Sequence, residues 1–270
     1  MPLANHSSPL SADDVWAALL RLRRSARASE LGSAAADTEG AELAALFAPL
    51  AAAAERGTVA VGHLGQSLDG RIALACGASR WLTGDEDLDH THRLRAFADA
   101  VLVGAGTVAA DDPQLTVRRC PGDHAVRVVL DAERRLGAGY GVFRDGPAPT
   151  LLVCAADRAD GPRHGAAEVV GVPRRGDALH PRDVLAALAE RGLRVVFVEG
   201  GGVTISRFLA AGALDRLHLT VAPVVIGSGR PGLSLPEIGT LDRALRPPTA
   251  VHRLGADVLF DLDLAAERRP

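Results

Sequence analysis

AVLVGAGTVAADDPQLTVR, residues 100–118, gives the backbone several structural cues in succession. Ala100–Val103 has the length and aliphatic content of a buried strand. Gly104-Ala-Gly106 allows a sharp turn. Thr107 opens a short helix, and Asp111-Asp112-Pro113 ends it, because proline drives the residue before it out of the α region. A second unit of the same kind lies downstream, where Val195–Val198 leads through Gly200-Gly201-Gly202 into a helical pattern at Thr204–Ala211. Strand, glycine turn, helix is the grammar of a parallel α/β sheet.

The flanking sequence repeats that alternation. Strand-like runs fall at Val59–Leu64, Val126–Leu130, Thr150–Val153, Glu168–Val172 and Leu217–Val221, with helical patterns at Asp85–Ala98 and Pro181–Arg191. Val251–Leu254 and Val258–Leu264 are strands with no helix between them, so they should form an antiparallel edge. The expected fold is α/β, with a central, mostly parallel sheet flanked by helices and antiparallel C-terminal strands. Residues 58–270 would make this domain and residues 1–57 a helical extension with a flexible linker. In the extension, residues 1–10 read as a tail, Ser11 as the N-cap of a first helix, residues 24–40 as the linker, and Ala41–Arg56 as an Ala-rich helix. The extension is expected to pack on the main domain.

Composition excludes several functions. The 270 residues carry a net charge of −3 and no long basic run, so nothing resembles a nucleic-acid face. Every basic residue is Arg, which removes Schiff-base chemistry through lysine. No apolar run is long enough to span a membrane, the N-terminus lacks the regions of a signal peptide, and three scattered cysteines fit a reducing cytoplasm. A serine hydrolase has no G-x-S-x-G, and a zinc deaminase has no H-x-E with P-C-x-x-C. His90 and His92 sit two apart on a predicted helix and so diverge; they read as solvated surface residues rather than a metal pair.

Two glycine turns at the carboxyl edge of one sheet favour a long diphosphate ligand such as a dinucleotide. The Rossmann fingerprint is incomplete, since Gly104-x-Gly106 lacks the third glycine and the acids come at once as Asp111-Asp112. Asp111-Asp112-Pro113 is explained by an Asp-Pro turn, or by a carboxylate held beside the cofactor turn. Arg118 follows closely enough to meet an anion in the same cleft. Ser67–Arg71 reads as a polar Asp-Gly turn, and Trp81, one of two tryptophans, stands in a polar loop where it can cover a flat ring or pack inward.

With GQSLDGRIAL (65–74), GASRWLTGDE (77–86), HRLRAFADAVLVGAGTVAADDPQLTVR (92–118), FVEGGGVTISRFLAAGALDRLHLTVAPVVIG (197–227) and the strand-like end in order, the chain resembles the reductase domain of the bifunctional riboflavin-biosynthesis deaminase–reductase. That resemblance implies a dihydrofolate-reductase-like fold, a homodimer, and an NADPH-dependent oxidoreductase that delivers hydride to the ribosyl C1′ of a 5-amino-6-(5-phosphoribosylamino)uracil-type substrate. It implies NADPH contacts from Gly65, Trp81, Thr107, Asp111, Gly201, Gly202, Val203, Thr204, Ile205, Ser206 and Arg207. It places Ser79, Arg95, Leu115, Arg118 and Glu199 at the substrate, where the forked guanidinium groups of Arg95 and Arg118 are expected to grip its 5′-phosphate. Asp111, Glu199 and His63 are the catalytic candidates. The family usually has lysine where this chain has His63, whose imidazole can donate a hydrogen bond or a proton. The family's deaminase half has no counterpart in residues 1–57, so a standalone reductase is expected that either works with a partner enzyme or serves a related pathway of specialised metabolism. Two other readings stay open: a reductase of a pterin or other imine-bearing heterocycle, and a degenerate nucleotide-binding subunit. Arg134 and Arg135 are candidates to meet a 2′-phosphate.

Overall fold

The computed structural model describes residues 9–25, 37–79, 82–144, 146–176 and 178–266, and the chain divides into two compact units, Met1–Gly57 and Thr58–Pro270. Most of the expected tail and the greater part of the expected linker lie outside the described residues.

The first unit is a pair of packed helices, α1 (Ala12–Ser25) and α2 (Thr38–Arg56). Ser11 and Asp14 cap α1 reciprocally: each backbone N–H donates to the other's side chain at 3.2 Å. The second helix begins earlier than expected, because Asp37 accepts a 2.7 Å hydrogen bond from Gly40 N and caps a turn assigned above to the linker. Trp16 and Phe47 meet edge to face at 5.1 Å, which locks the two helices through their apolar stripes.

The second unit contains, in chain order, β1 (Val59–Ser67), β2 (Arg71–Leu74), α3 (Asp85–Phe97), β3 (Ala100–Gly104), α4 (Ala105–Asp111), β4 (Val126–Leu130), β5 (Thr150–Ala155), β6 (Arg163–His164), β7 (Ala167–Val172), β8 (Arg174–Arg175), β9 (Ala178–Leu179), α5 (Pro181–Ala189), β10 (Val195–Glu199), α6 (Gly202–Ala210), β11 (Arg216–Ala222), β12 (Gly229–Pro231), β13 (Thr249–Leu254) and β14 (Asp257–Asp263). Ten strands form one sheet in the order β13-β14-β11-β1-β10-β3-β4-β5-β7-β6. Strands β11, β1, β10, β3, β4, β5 and β7 run parallel, while β14 and β13 close one edge antiparallel, so the sheet has the mixed architecture expected. The aliphatic runs fill its interior; Ala100, Val101, Leu102 and Val103 are all fully buried. Each such Val or Leu contributes about 1.5–3 kcal/mol of transfer free energy. Strand β2, inside the segment read as a polar turn and its sequel, pairs with β12 in a separate two-stranded ribbon. No helix of the described residues is long and apolar enough to cross a membrane.

Helix α3 corrects one expectation. His90 and His92 are 1% and 5% exposed, not on the surface, while the apolar Leu88 is exposed. The helix turns its polar side inward because the sheet beneath it is polar at that level.

Candidate active site

Register explains this polarity. Asp261 on β14 pairs with His218 on β11, His218 with His63 on β1, and His63 with Glu199 on β10. Residues paired in this way share a face of the sheet, so four titratable side chains form one row across four strands. Helix α3 answers the row with Asp87, Thr91 and Arg95, which share a helix face at i, i+4 and i+8, and with His90.

Arg95 Nε donates to Glu199 Oε2 at 2.7 Å and Nη2 to Oε1 at 2.5 Å, a forked pair, and its Nη1 holds Thr116 O at 2.9 Å. Burial opposes charge on Arg95, but the Glu199 carboxylate more than offsets this and holds the guanidinium above its ordinary range. His63 Nε2 lies 2.9 Å from Asp87 Oδ1, and Thr220 Oγ1 donates to the same oxygen at 2.6 Å. Burial pushes the Asp87 carboxyl up, but the adjacent His63 and the hydrogen bonds from His63 and Thr220 hold it far below the usual carboxylate range. Thr91 Oγ1 is 3.3 Å from His63 Nδ1. Behind them, His90 Nε2 and His218 Nδ1 are 2.9 Å apart, and His218 Nε2 faces Asp261 Oδ1 at 3.3 Å. Burial is the main force lowering the pKa of both His90 and His218.

A cleft of ≈ 840 Å3 runs along the carboxyl ends of β1, β10, β3 and β4. This is where parallel α/β sheets bind ligands. The two glycine turns interlock on its wall. A Cβ on Gly104 would lie 2.5 Å from Thr204 Oγ1, and one on Gly201 would lie 2.8 Å from Thr107 Oγ1. Gly201 also has φ +71°, a left-handed conformation that favours glycine. These close approaches leave bare backbone at the N-terminus of α6, where free N–H groups suit a diphosphate. Arg135 and Arg207 are exposed on the same wall. The residues present therefore fit a nicotinamide dinucleotide.

Of the residues singled out above, His63, Gly65, Ser79, Arg95, Thr107, Asp111, Glu199, Gly201, Gly202, Val203, Thr204 and Arg207 line the cleft. Ile205 and Ser206 are buried on the inner side of α6 and are not part of the wall; Ser206 Oγ accepts from Ser234 N at 2.9 Å. Trp81 lies outside the described residues. Arg95 is committed to Glu199 and Thr116. Leu115 and Arg118 stand off the wall: Leu115 is 1% exposed, whereas Arg118 is exposed and its Nη1 bonds to Thr116 Oγ1 at 2.6 Å. Arg118 nonetheless feels the charges of both Arg95 and Glu199. Arg134 is used structurally, its guanidinium holding the carbonyls of Asp160 and Arg163.

The loop after α4 is strained and tightly held. Asp112 and Leu115 adopt φ +39° and +56°, which for leucine costs on the order of 1–3 kcal/mol. Arg95 on Thr116 O, His92 Nδ1 accepting from Arg118 N at 2.9 Å, and Asp112 Oδ1 accepting from Gly141 N at 2.8 Å hold the loop in place. Of the paired acids, Asp112 thus secures the loop and Asp111 faces the cleft. Asp87, Thr91 and Thr220 were not anticipated. The D-x-x-x-T-x-x-x-R spacing on α3 was the available signal.

Residues 61–258 match the family profile described as the RibD C-terminal domain. The chain is 33% identical over 199 residues to the riboflavin biosynthesis protein RibD of Aquifex aeolicus, covering 72% of this chain and 54% of that one. It is 39% identical over 168 residues to the 2,5-diamino-6-ribosylamino-4(3H)-pyrimidinone 5′-phosphate reductase of Methanothermobacter thermautotrophicus, covering 60% and 76%. Among solved structures, the Thermotoga maritima diaminohydroxyphosphoribosylaminopyrimidine deaminase/5-amino-6-(5-phosphoribosylamino)uracil reductase superposes with TM-score 0.65 at 26% identity, covering 83% of this chain and 61% of that one. The chain thus spans about half the length of the first of these relatives.

Proposed function

Because this chain belongs to the RibD C-terminal domain family, we propose that it is an NADPH-dependent reductase of a 5-amino-6-(5-phosphoribosylamino)uracil-type substrate in a riboflavin-type pathway. The observation that carries this reading is the single cleft in which two interlocked glycine turns adjoin the Arg95–Glu199 pair and His63. When bound, the dinucleotide supplies the hydride that the ribosyl C1′ accepts. The start of α6 and the Thr107 and Thr204 hydroxyls hold its diphosphate. Arg135 and Arg207 offer two cations to a 2′-phosphate, which favours NADPH over NADH. Glu199 and Asp111 orient the ribose hydroxyls and Ser79 adds a hydrogen bond, while Arg118, exposed and off the wall, is the cation left to meet a 5′-phosphate that extends beyond the cleft. Arg95 holds Glu199 in position.

The relatives favour neither the pterin reductase nor the degenerate nucleotide-binding subunit. The test is oxidation of NADPH by the purified chain with the deaminated pyrimidine ribosylamine phosphate. Turnover is expected with NADPH, much slower turnover with NADH, and a KM for the phosphorylated substrate raised several-fold in Arg118→Ala. No turnover with that substrate, or faster turnover with a pterin, would overturn the reading.

The same proposal includes a homodimer. Leu235, Ile238, Leu241 and Leu245 are exposed, and so is Val251 on the edge strand β13. An apolar edge of this kind calls for cover. Light scattering should give twice the chain mass, and a monomer at micromolar concentration would contradict the proposal.

A further inference from the structure

We propose that His63 is the proton donor of this reaction and that Asp87 is its positioning carboxylate, a dyad presented to the substrate from the cleft wall. The inference rests on the function proposed above and deepens it.

The geometry constrains both ring nitrogens. Asp87 is ionised and can only accept, so the contact of 2.9 Å requires a proton on His63 Nε2. Thr220 Oγ1, also 3.3 Å from Nε2, gives its proton to the same carboxylate oxygen and fixes that carboxylate in place. Nδ1 is then the nitrogen that gains and loses a proton. It faces Thr91 Oγ1 at 3.3 Å, and a hydroxyl serves either state: it donates to bare Nδ1 and accepts from protonated Nδ1. His63 and Thr91 both line the cleft, so a proton leaving Nδ1 reaches a ligand directly or through that hydroxyl. The arrangement follows the logic of a carboxylate that orients a catalytic imidazole and stabilises its charged form.

The charged and titratable neighbours of His63 are Asp87 and His90 on α3, His218 on β11 and Glu199 on β10. His90 and His218 are kept neutral by burial, and Glu199 is neutralised by Arg95, which leaves the Asp87 charge to act on His63.

The reaction needs one proton at a definite atom. In the closed ribosylamine the C1′–O4′ bond must break. Its electron pair goes to O4′, which takes the proton from His63, while the lone pair of the exocyclic nitrogen closes a C1′=N bond. A bound reduced nicotinamide would supply the hydride that C1′ takes, with the π pair returning to nitrogen. One proton and one hydride are consumed, and the ribityl product is neutral at nitrogen.

The experiment compares kcat–pH profiles of the wild type, Asp87→Asn, Asp87→Glu and His63→Gln, with NADPH affinity measured separately by fluorescence. In the wild type, kcat should fall on the alkaline side as the imidazolium is lost. Asp87→Asn should lower kcat and displace that limb, because the carboxylate that orients the ring and stabilises its charged form is gone. Asp87→Glu should restore part of the shift. His63→Gln should abolish the limb and lower kcat by about 10²-fold or more. NADPH affinity should stay unchanged in all three variants. A kcat loss in Asp87→Asn with the limb unmoved would reduce Asp87 to packing and overturn the proposal. A second readout needs no substrate: the His63 Nε2–H should give a downfield, slowly exchanging imidazole NMR signal in the wild type that is lost in Asp87→Asn. If the pyrimidine is not turned over but this signal is present, the substrate assignment fails and the dyad stands. If the signal is absent, the dyad fails whatever the substrate.

Discussion

Glu199→Ala should lose about 3–5 kcal/mol of unfolding free energy along with most of its turnover. The stability loss comes from Arg95, which is 8% exposed and donates two of its hydrogen bonds to that carboxylate. Without Glu199 a guanidinium stays charged in a place water barely reaches, because arginine does not deprotonate in proteins. The damage spreads to the loop after α4, since the same guanidinium holds Thr116 O beside the left-handed Leu115. Glu199→Gln separates the two effects. It keeps an acceptor for one arm of the fork, so it should unfold closer to the wild type while still losing turnover. Urea unfolding and NADPH oxidation measured on both variants check this. A Glu199→Ala protein as stable as the wild type would show that the pair is not holding the site.

Acid should weaken the protein well above the range where carboxylates protonate. His90, His92 and His218 are buried and each titrates below the ordinary imidazole value of 6.5; burial pushes the His92 ring down to about 4, helped by the Arg95 and Arg118 charges. In the unfolded chain the same rings take up protons near pH 6.5. The unfolded state then binds more protons than the folded one, so stability is full above that value and declines as pH falls below it. Each ring contributes a slope approaching about 1.4 kcal/mol per pH unit. Asp87 and Asp261 have depressed values, Asp261 at about 2 against burial because His218 lies 3.3 Å from it and Arg216 donates to both its oxygens. Their stabilisation is present above the unfolded carboxylate value and is lost only as pH falls through their folded values, which gives a second, more acidic step. Unfolding free energy measured at half-unit intervals should therefore start to fall near pH 6.5. A flat profile between pH 7 and 5 would mean that these rings are not held neutral.

The parallel sheet was legible because its central strands are largely buried and read as apolar runs, as at Ala100–Val103 and Val195–Val198. The glycine turns were legible because few residues other than glycine fit where the chain turns left-handed at Gly201 or meets a hydroxyl at Gly104. Helix α3 was harder. Its length and start were readable, but its inward face was not, since helix patterning assumes an apolar interior. Here Asp87, His90, Thr91 and Arg95 face a polar row that exists only once β14, β11, β1 and β10 are aligned. His90 was therefore placed on the surface, and Asp87 went unnoticed. Strand β2 was missed for a local reason. Asp69-Gly70 is a true turn, with Gly70 N donating to Ser67 O at 3.0 Å, and the strand after it has only four residues and finds its partner, β12, far along the chain. The loop 112–118 was readable as a stop but not as a strained segment, because its left-handed Leu115 depends on bonds from α3.

In the proposed function this cleft delivers hydride to the ribosyl C1′ of a phosphorylated pyrimidine ribosylamine. The most direct test is a single turnover with NADPH deuterated at nicotinamide C4 on the transferred face, with the product read by NMR and mass spectrometry. One deuterium is expected, at C1′ of a newly formed ribityl chain. Deuterium in the pyrimidine ring, or an unlabelled and unchanged ribosylamine with the NADPH intact, would contradict it.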